Sequence, residues 1–90
     1  MPRQERTFTI LNTLGLHARA AAQLVQAANR YRCEIQVEKD GMQVNGKSIM
    51  GVLTLAAAKG TQIVVSCEGE DEVAAMEALA KVIEAGFGEL

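Results

Sequence analysis

The 90-residue sequence is poor in aromatic residues, which make up 3% of it, and it contains no tryptophan. Proteins that bind single-stranded nucleic acid usually need aromatic side chains on which bases can stack. The sequence also has no excess of positive charge, because nine lysines and arginines stand against eleven aspartates and glutamates, for a formal net charge of −2. Without a basic surface, we do not expect a protein that binds nucleic acid.

The sequence has only two cysteines and one histidine. Cys33 and Cys67 lie far apart in apolar segments, so we expect buried, reduced thiols rather than a disulfide. These three residues cannot supply the usual ligand set of a protein zinc site, and we expect no metal or other cofactor. There is no apolar segment long enough to span a bilayer and no apolar core of a signal peptide, which leads us to expect a cytoplasmic protein without membrane insertion.

The spacing of apolar residues predicts one domain over residues 1–90 with the order strand, helix, strand, strand, helix, strand, helix. One sheet with the helices packed on one face, an α+β fold, is the natural way to bury such elements. The predicted strands are 7–11, 34–38, 42–44 and 61–67. The predicted helices cover 18–30, 48–56 and a last segment that opens at residues 69–72 and is ended by Gly86.

Local signals mark the ends of several of these elements. Asp40-Gly41 predicts a hairpin turn, and Ser48 is a good N-cap for the second helix. Gly60 is interpreted as the C-terminal stop of that helix, and Gly86 as the end of the last one. The predicted apolar stripe of the last helix consists of Val73, Met76, Leu79, Ala80 and Ile83.

His17, the only histidine, lies where the first turn leads into the first helix. The free amides and the positive dipole end of a helix N-terminus favour an anion such as phosphate, and they disfavour a protonated ring. Arg19 could reach a phosphoryl oxygen with its planar guanidinium. Such dipole effects contribute only ~0.3–1 kcal/mol, so a partner enzyme must supply most of the stabilisation for phosphoryl transfer. The alternative interpretation is a surface histidine without a role.

Two motifs carry a resemblance to a known family. The first is Asn12-x-x-Gly15-Leu16-His17-Ala18-Arg19, followed by Ala21, and the second covers residues 46–53, Gly-Lys-Ser-Ile-Met-Gly-Val-Leu. They resemble the phosphorylation-site and regulatory-serine motifs of HPr, the histidine-containing phosphocarrier family of the phosphoenolpyruvate-dependent phosphotransferase system. The resemblance extends over nearly the whole sequence.

The resemblance implies an open-faced β-sandwich, with a four-stranded antiparallel sheet and three helices on one face. It also implies a carrier rather than an enzyme: His17 takes a phosphoryl group on Nδ1 from phospho-enzyme I and passes it to an enzyme IIA protein. Arg19 matches the arginine that stabilises the phosphorylated state. The partner-binding surface would lie at the starts of the first two helices, and a monomer suits such a carrier. The residues expected in that surface are Ala21, Ile49, Met50 and Leu53, with Met50 the most exposed.

Several alternatives stay open. Ser48 matches the family's regulatory serine, which implies an HPr kinase/phosphorylase and a transcription regulator as further partners, although its N-capping role alone explains a serine there. Ala20 stands where the family usually has proline, and together with the tail 86–89 it leaves open a carrier of the nitrogen branch. The protein could also be a regulatory binding module switched at Ser48, or a generic interaction domain with an incidental histidine.

Overall fold

The computed structural model describes residues 2–89, in which four strands form one antiparallel sheet and three α-helices cover one of its faces. The strands lie side by side in the order β1-β4-β2-β3. The predicted order of elements and the α+β open-faced sandwich are confirmed, while Met1 and Leu90 of the predicted domain lie outside the described residues. The elements are β1 Arg3–Thr9, α1 Ala18–Ala28, β2 Glu34–Lys39, β3 Met42–Asn45, α2 Ile49–Thr54, β4 Gln62–Glu68 and α3 Glu72–Glu84.

The first strand begins and ends earlier than predicted. It pairs with β4 over its full length, from Arg3 opposite Glu68 to Thr9 opposite Gln62. Only Phe8 of this edge strand is buried. Residues 3–6 therefore carry no apolar alternation, and their place in the sheet depends on pairing with β4, which is distant in sequence.

The second helix is shorter than predicted and does not end at Gly60. It ends at Thr54, and Ala56 then takes a left-handed conformation with φ 49°. The Lys39 ammonium donates to the Leu55 carbonyl (3.0 Å), which satisfies one acceptor at the helix end. The amide of Gly60 instead donates to the Ile10 carbonyl (2.8 Å). Gly60 thus belongs to the connection into β4, since its amide is bonded outside the helix.

The core lies between the sheet and the three helices. Alternate residues of β4, Ile63, Val65 and Cys67, are fully buried, as expected for one face of a strand. On α3 the predicted stripe is buried except for Val73, which is 49% exposed, and the helix instead buries Glu72 at its first position. The longest helix has 13 residues, and none of the helices within residues 2–89 is long and apolar enough to cross a bilayer.

Both cysteines are buried free thiols, as predicted. Burial, together with the nearby Asp71 carboxylate, raises the pKa of Cys33 to about 12. A thiol with that pKa stays protonated at neutral pH and is a poor nucleophile, because the thiolate is the reactive form. Cys33 and Cys67 therefore act as small apolar core residues.

Candidate functional site

The loop between β1 and α1 is held in a fixed shape by hydrogen bonds. Asn12 is completely buried, and its Nδ2 donates to the Gly15 carbonyl (2.8 Å). Gly15 has φ 64°, and a Cβ at this position would lie 2.4 Å from the Ala57 carbonyl oxygen. The same carbonyl accepts a bond from the Leu16 amide (2.9 Å). Only glycine fits this close approach, so the loop delivers His17 to a defined position at the start of α1.

His17 is the N-cap residue of α1, with an extended backbone (φ −73°, ψ 178°). Its carbonyl accepts the first helical hydrogen bond, from the Ala21 amide (2.8 Å). The amides of Ala18, Arg19 and Ala20 precede that bond and have no carbonyl acceptor inside the helix. The His17 side chain makes no capping bond to them and is 28% exposed. The ring therefore lies, accessible to solvent, beside the positive end of an 11-residue helix.

The imidazole is held from one side by a carboxylate that the sequence analysis did not identify. His17 Nε2 lies 2.5 Å from Glu89 Oε2, and Glu89 Oε1 accepts a bond from Asn12 Nδ2 (2.9 Å). The hydrogen bond from Asn12, and after it the hydrogen bond with His17, lower the pKa of Glu89 below its ordinary range. Because an ionised carboxylate only accepts hydrogen bonds, a neutral His17 ring carries its proton on Nε2. Nδ1, by contrast, has no hydrogen-bond partner among residues 2–89.

Arg19 and Ala20 occupy the first turn of α1 in different ways. Arg19 is exposed and forms no ion pair within the described part of the chain. Its positive charge makes a minor contribution to the lowered pKa of Glu89, the carboxylate that contacts the His17 ring. Ala20 is fully buried, and α1 begins normally at Ala18. The alanine that stands in place of proline thus leaves the helix start intact and keeps one more amide there.

Of the residues predicted for the partner-binding surface, two on α2 are exposed apolar side chains and one on α1 is buried. Met50 is 73% exposed and Ile49 is also exposed, while Leu53 is partly buried against the core. Ala21 is completely buried, so its predicted place in a partner-binding surface is wrong: the side chain packs α1 onto the core instead. Leu14, next to the His17 loop, is 68% exposed and was missed, because an apolar residue in a turn gives no signal of its own.

Ser48 is the N-cap of α2, as predicted. Its Oγ accepts a hydrogen bond from the Gly51 amide (3.1 Å), and its side chain is partly exposed. The structure therefore accounts for this serine by capping alone, and Ser48 directly precedes the exposed Ile49 and Met50 in the chain.

Comparisons with known proteins show to which family and to which known folds this chain is similar. The family model described as the PTS HPr component phosphorylation site matches residues 4–85. A phosphocarrier protein HPr of Neisseria meningitidis is 48% identical over 85 residues, covering 94% of this chain and 96% of the relative. An HPr-like protein Crh of Halalkalibacterium halodurans is 56% identical over 80 residues, covering 89% and 95%. A crystal structure of HPr from Thermoanaerobacter tengcongensis superposes with a TM-score of 0.93 at 47% identity, covering 97% and 98%.

Proposed function

The chain belongs to the HPr family of phosphocarrier proteins, and we propose that it accepts a phosphoryl group on Nδ1 of His17 from phospho-enzyme I and passes it to an enzyme IIA protein. The observation that carries this proposal is the state of the ring. It is partly exposed, it lies at the amide end of α1, and its Nδ1 has no partner within residues 2–89.

The transfer step needs little covalent chemistry from this chain. The Nδ1 lone pair attacks phosphorus, an N–P bond forms, and the bond between phosphorus and the donor breaks. The amides that precede the first helical bond offer hydrogen bonds to the phosphoryl oxygens, and the Arg19 guanidinium offers a charge-assisted pair. We propose no further catalysis by the chain itself: it carries one phosphoryl group per molecule, and the partner supplies the remaining stabilisation.

We propose that exposed apolar residues of the loop before His17 and of the start of α2 form the surface that contacts both donor and acceptor. Leu14, Ile49 and Met50 are large apolar side chains exposed to solvent. A carrier must fit two different partners with one face, and the flexible thioether of Met50 suits that need. The partners would cover these side chains and bring the phosphorus atom to Nδ1.

Ser48 gives a second candidate function, regulation by an HPr kinase/phosphorylase. Ser48 is a partly exposed residue at the start of α2, next to Ile49 and Met50 in the chain. A phosphate there would add about −1.5 to −2 charge, which a helix N-terminus tolerates. We therefore propose that phosphorylation of Ser48 would weaken docking of the phosphotransferase partners without unfolding the chain. Binding of a transcription regulator to the phospho-Ser48 form, with poor labelling of His17, would favour a purely regulatory module.

Incubation with enzyme I and phosphoenolpyruvate tests the main proposal. We expect one acid-labile phosphate per chain, no labelling of His17→Ala, and normal labelling of the control Ser48→Ala. Labelling of His17→Ala would contradict the assignment. No labelling of the unaltered protein would favour a generic interaction domain. Offering the phosphorylated protein to enzyme IIA proteins of the sugar and nitrogen branches then tests which branch it serves.

A further inference from the structure

Residues 85–89, which follow α3, form a hook that returns the chain to His17. Gly86, Phe87 and Gly88 all have positive φ values, 59°, 56° and 75°. Phe87 has a Cβ and still adopts this left-handed conformation, while its ring is almost completely buried in the core. The burial of the ring offsets the backbone strain and anchors the hook. The family match ends at residue 85, so the hook lies outside it.

The hook brings the Glu89 side chain between two residues of the His17 site. Its Oε1 accepts from the buried Asn12 amide group (2.9 Å) and its Oε2 contacts His17 Nε2 (2.5 Å). Asn12 in turn holds the Gly15 carbonyl (2.8 Å), so carboxylate, asparagine and loop form one connected network. Glu89 is consequently fixed on one side of the ring rather than free in a loose tail.

We propose that Glu89 is a positioning residue for phosphoryl transfer: its carboxylate holds the proton on His17 Nε2 and thereby keeps the lone pair of Nδ1 free for the incoming phosphorus. The inference rests on the proposed function, because it concerns the same ring and the same reaction. Carboxylates that accept a hydrogen bond from one ring nitrogen, and so fix the tautomer of a histidine, are common where the other ring nitrogen acts as a ligand or base.

The same contact serves both directions of transfer. When Nδ1 attacks phosphorus, the N–P bond forms, the donor's bond to phosphorus breaks, and the ring becomes positively charged with its proton still on Nε2. The Glu89 carboxylate balances that charge. When the acceptor attacks, the N–P bond breaks and the ring leaves as neutral imidazole with the proton still on Nε2. The carboxylate lies on the Nε2 side, so the phosphoryl group enters on the opposite side of the ring, at Nδ1.

The tautomer can be measured without any phosphoryl donor, by ¹⁵N NMR of the imidazole at a pH where the ring is neutral. Glu89→Gln is the informative variant, because a carboxamide can both accept and donate and so does not select one tautomer. The control is Glu77→Gln on the exposed face of α3. We expect the Nε2-protonated form to dominate in the unaltered protein and in Glu77→Gln, and a mixture in Glu89→Gln. Thermal unfolding of each variant shows that the fold is kept.

Reactivity is measured with phosphoramidate, a small donor that needs no protein docking and releases ammonia as its P–N bond breaks. We expect His17 in Glu89→Gln to react about tenfold more slowly than in the unaltered protein, the lower end of the effect of losing an orienting partner. Glu77→Gln should react at the normal rate. An unchanged tautomer or a rate within twofold of normal in Glu89→Gln would overturn the proposal.

Different results would contradict the phosphocarrier assignment and the positioning role of Glu89. If phospho-enzyme I does not label His17 while the tautomer and the phosphoramidate rate both respond to Glu89→Gln, the phosphocarrier assignment is wrong and the positioning role stands. If phospho-enzyme I labels His17 and neither measurement responds, the carrier assignment stands and Glu89 only packs the hook against the loop.

Discussion

The starts of α1 and α2 use the N-cap position in opposite ways. At α2 the Ser48 hydroxyl accepts from the Gly51 amide and stabilises its own helix. At α1 the N-cap is His17, whose side chain makes no capping bond and contacts Glu89 instead. One helix start is closed by its own side chain, and the other leaves its amides available to an anion.

The difference follows from how much each helix buries. The 11-residue α1 has six buried residues, whereas the six-residue α2 has only Val52. A short helix with so little packing depends on its cap, because tertiary burial supplies most helix stability elsewhere. Because the buried face of α1 stabilises this helix, its N-cap residue does not need to make a capping hydrogen bond. The side chain at that position can serve another purpose. How far a helix depends on a capping side chain therefore has to be judged together with the number of residues that the helix buries.

Replacing His17 by serine converts the α1 start into the α2 type and should have the largest effect. We expect complete loss of labelling by enzyme I and phosphoenolpyruvate, because the accepting nitrogen is gone. The free energy of unfolding should change by less than about 1 kcal/mol, since a new capping bond offsets the lost contact with Glu89. Labelling and urea unfolding measure the two effects. Residual acid-labile label in His17→Ser would contradict the role of His17 as phosphoryl acceptor. Strong destabilisation would contradict the expectation that a serine can cap α1.

Arg19→Lys keeps the charge beside the open helix start but removes the planar pair of donors. Loss of one charge-assisted hydrogen bond at an exposed position is worth about 1 kcal/mol, or roughly fivefold in rate. We expect that decrease in the rate of labelling from phosphoramidate. Arg30→Lys, at an exposed position just beyond the other end of α1, is the matched control and should leave the rate unchanged. Equal phosphoramidate labelling rates for the unaltered protein, Arg19→Lys and Arg30→Lys would contradict a role of the Arg19 guanidinium in phosphoryl transfer.

Ser48→Ala removes the cap of α2 and should lower the free energy of unfolding by about 1 kcal/mol. The phosphoramidate rate at His17 should stay within twofold of normal, because Ser48 makes no contact with the ring. Ser48→Asp, which retains a capping oxygen, should restore most of the stability. Denaturant unfolding of the three proteins checks this order, and an Asp variant as unstable as the Ala variant would contradict it.

Asp71, the N-cap residue of α3, represents a third kind of helix start. Its replacement should have the smallest effect on stability among these variants. Its carboxylate makes no cap for α3 and accepts instead from the amides of Arg32 (2.8 Å) and Cys33 (2.9 Å). The bond from the Arg32 amide is the main cause of its lowered pKa. A lowered pKa means that the ionised form stabilises the fold above the ordinary aspartate range and that this stabilisation disappears as the pH falls below it.

We therefore expect Asp71→Asn to be less stable than the unaltered protein at pH 7, with a difference smaller than that of Ser48→Ala. The difference should shrink as the pH falls below about 4, because the unfolded chain takes up a proton at Asp71 there and the folded chain, with its lowered Asp71 pKa, does so only at a lower pH. Urea unfolding at several pH values measures it. A stability difference that does not change with pH would mean that the charge of Asp71 does not contribute.

The sequence predicted those features that depend on neighbours in the chain. The Asp40-Gly41 turn joins β2 and β3 with Lys39 opposite Met42, and Ser48 and His17 both lie at helix starts, because turn residues and apolar spacing act over a few positions. The contact between His17 and Glu89 joins residues 72 positions apart. It depends on three successive left-handed residues after α3, one of them Phe87, and no local pattern indicates that conformation.

The errors at element ends have the same origin. Residues 3–6 join the sheet because β4 offers them partners, and α2 ends before Ala56 because Lys39 and the Gly60 loop take over the hydrogen bonding there. The buried position of Ala21 likewise depends on which side of α1 faces the core. Each of these outcomes was decided by residues distant in sequence.

We propose that His17 accepts phosphorus through Nδ1 while the Glu89 carboxylate keeps the proton on Nε2. Labelling the protein with ¹⁵N-histidine, phosphorylating it with enzyme I and phosphoenolpyruvate, and recording ³¹P and ¹⁵N spectra identifies the bonded nitrogen directly. We predict one phosphoryl group, bonded to Nδ1, with the proton retained on Nε2. A phosphoryl group bonded to Nε2, or to any residue other than His17, would contradict the account.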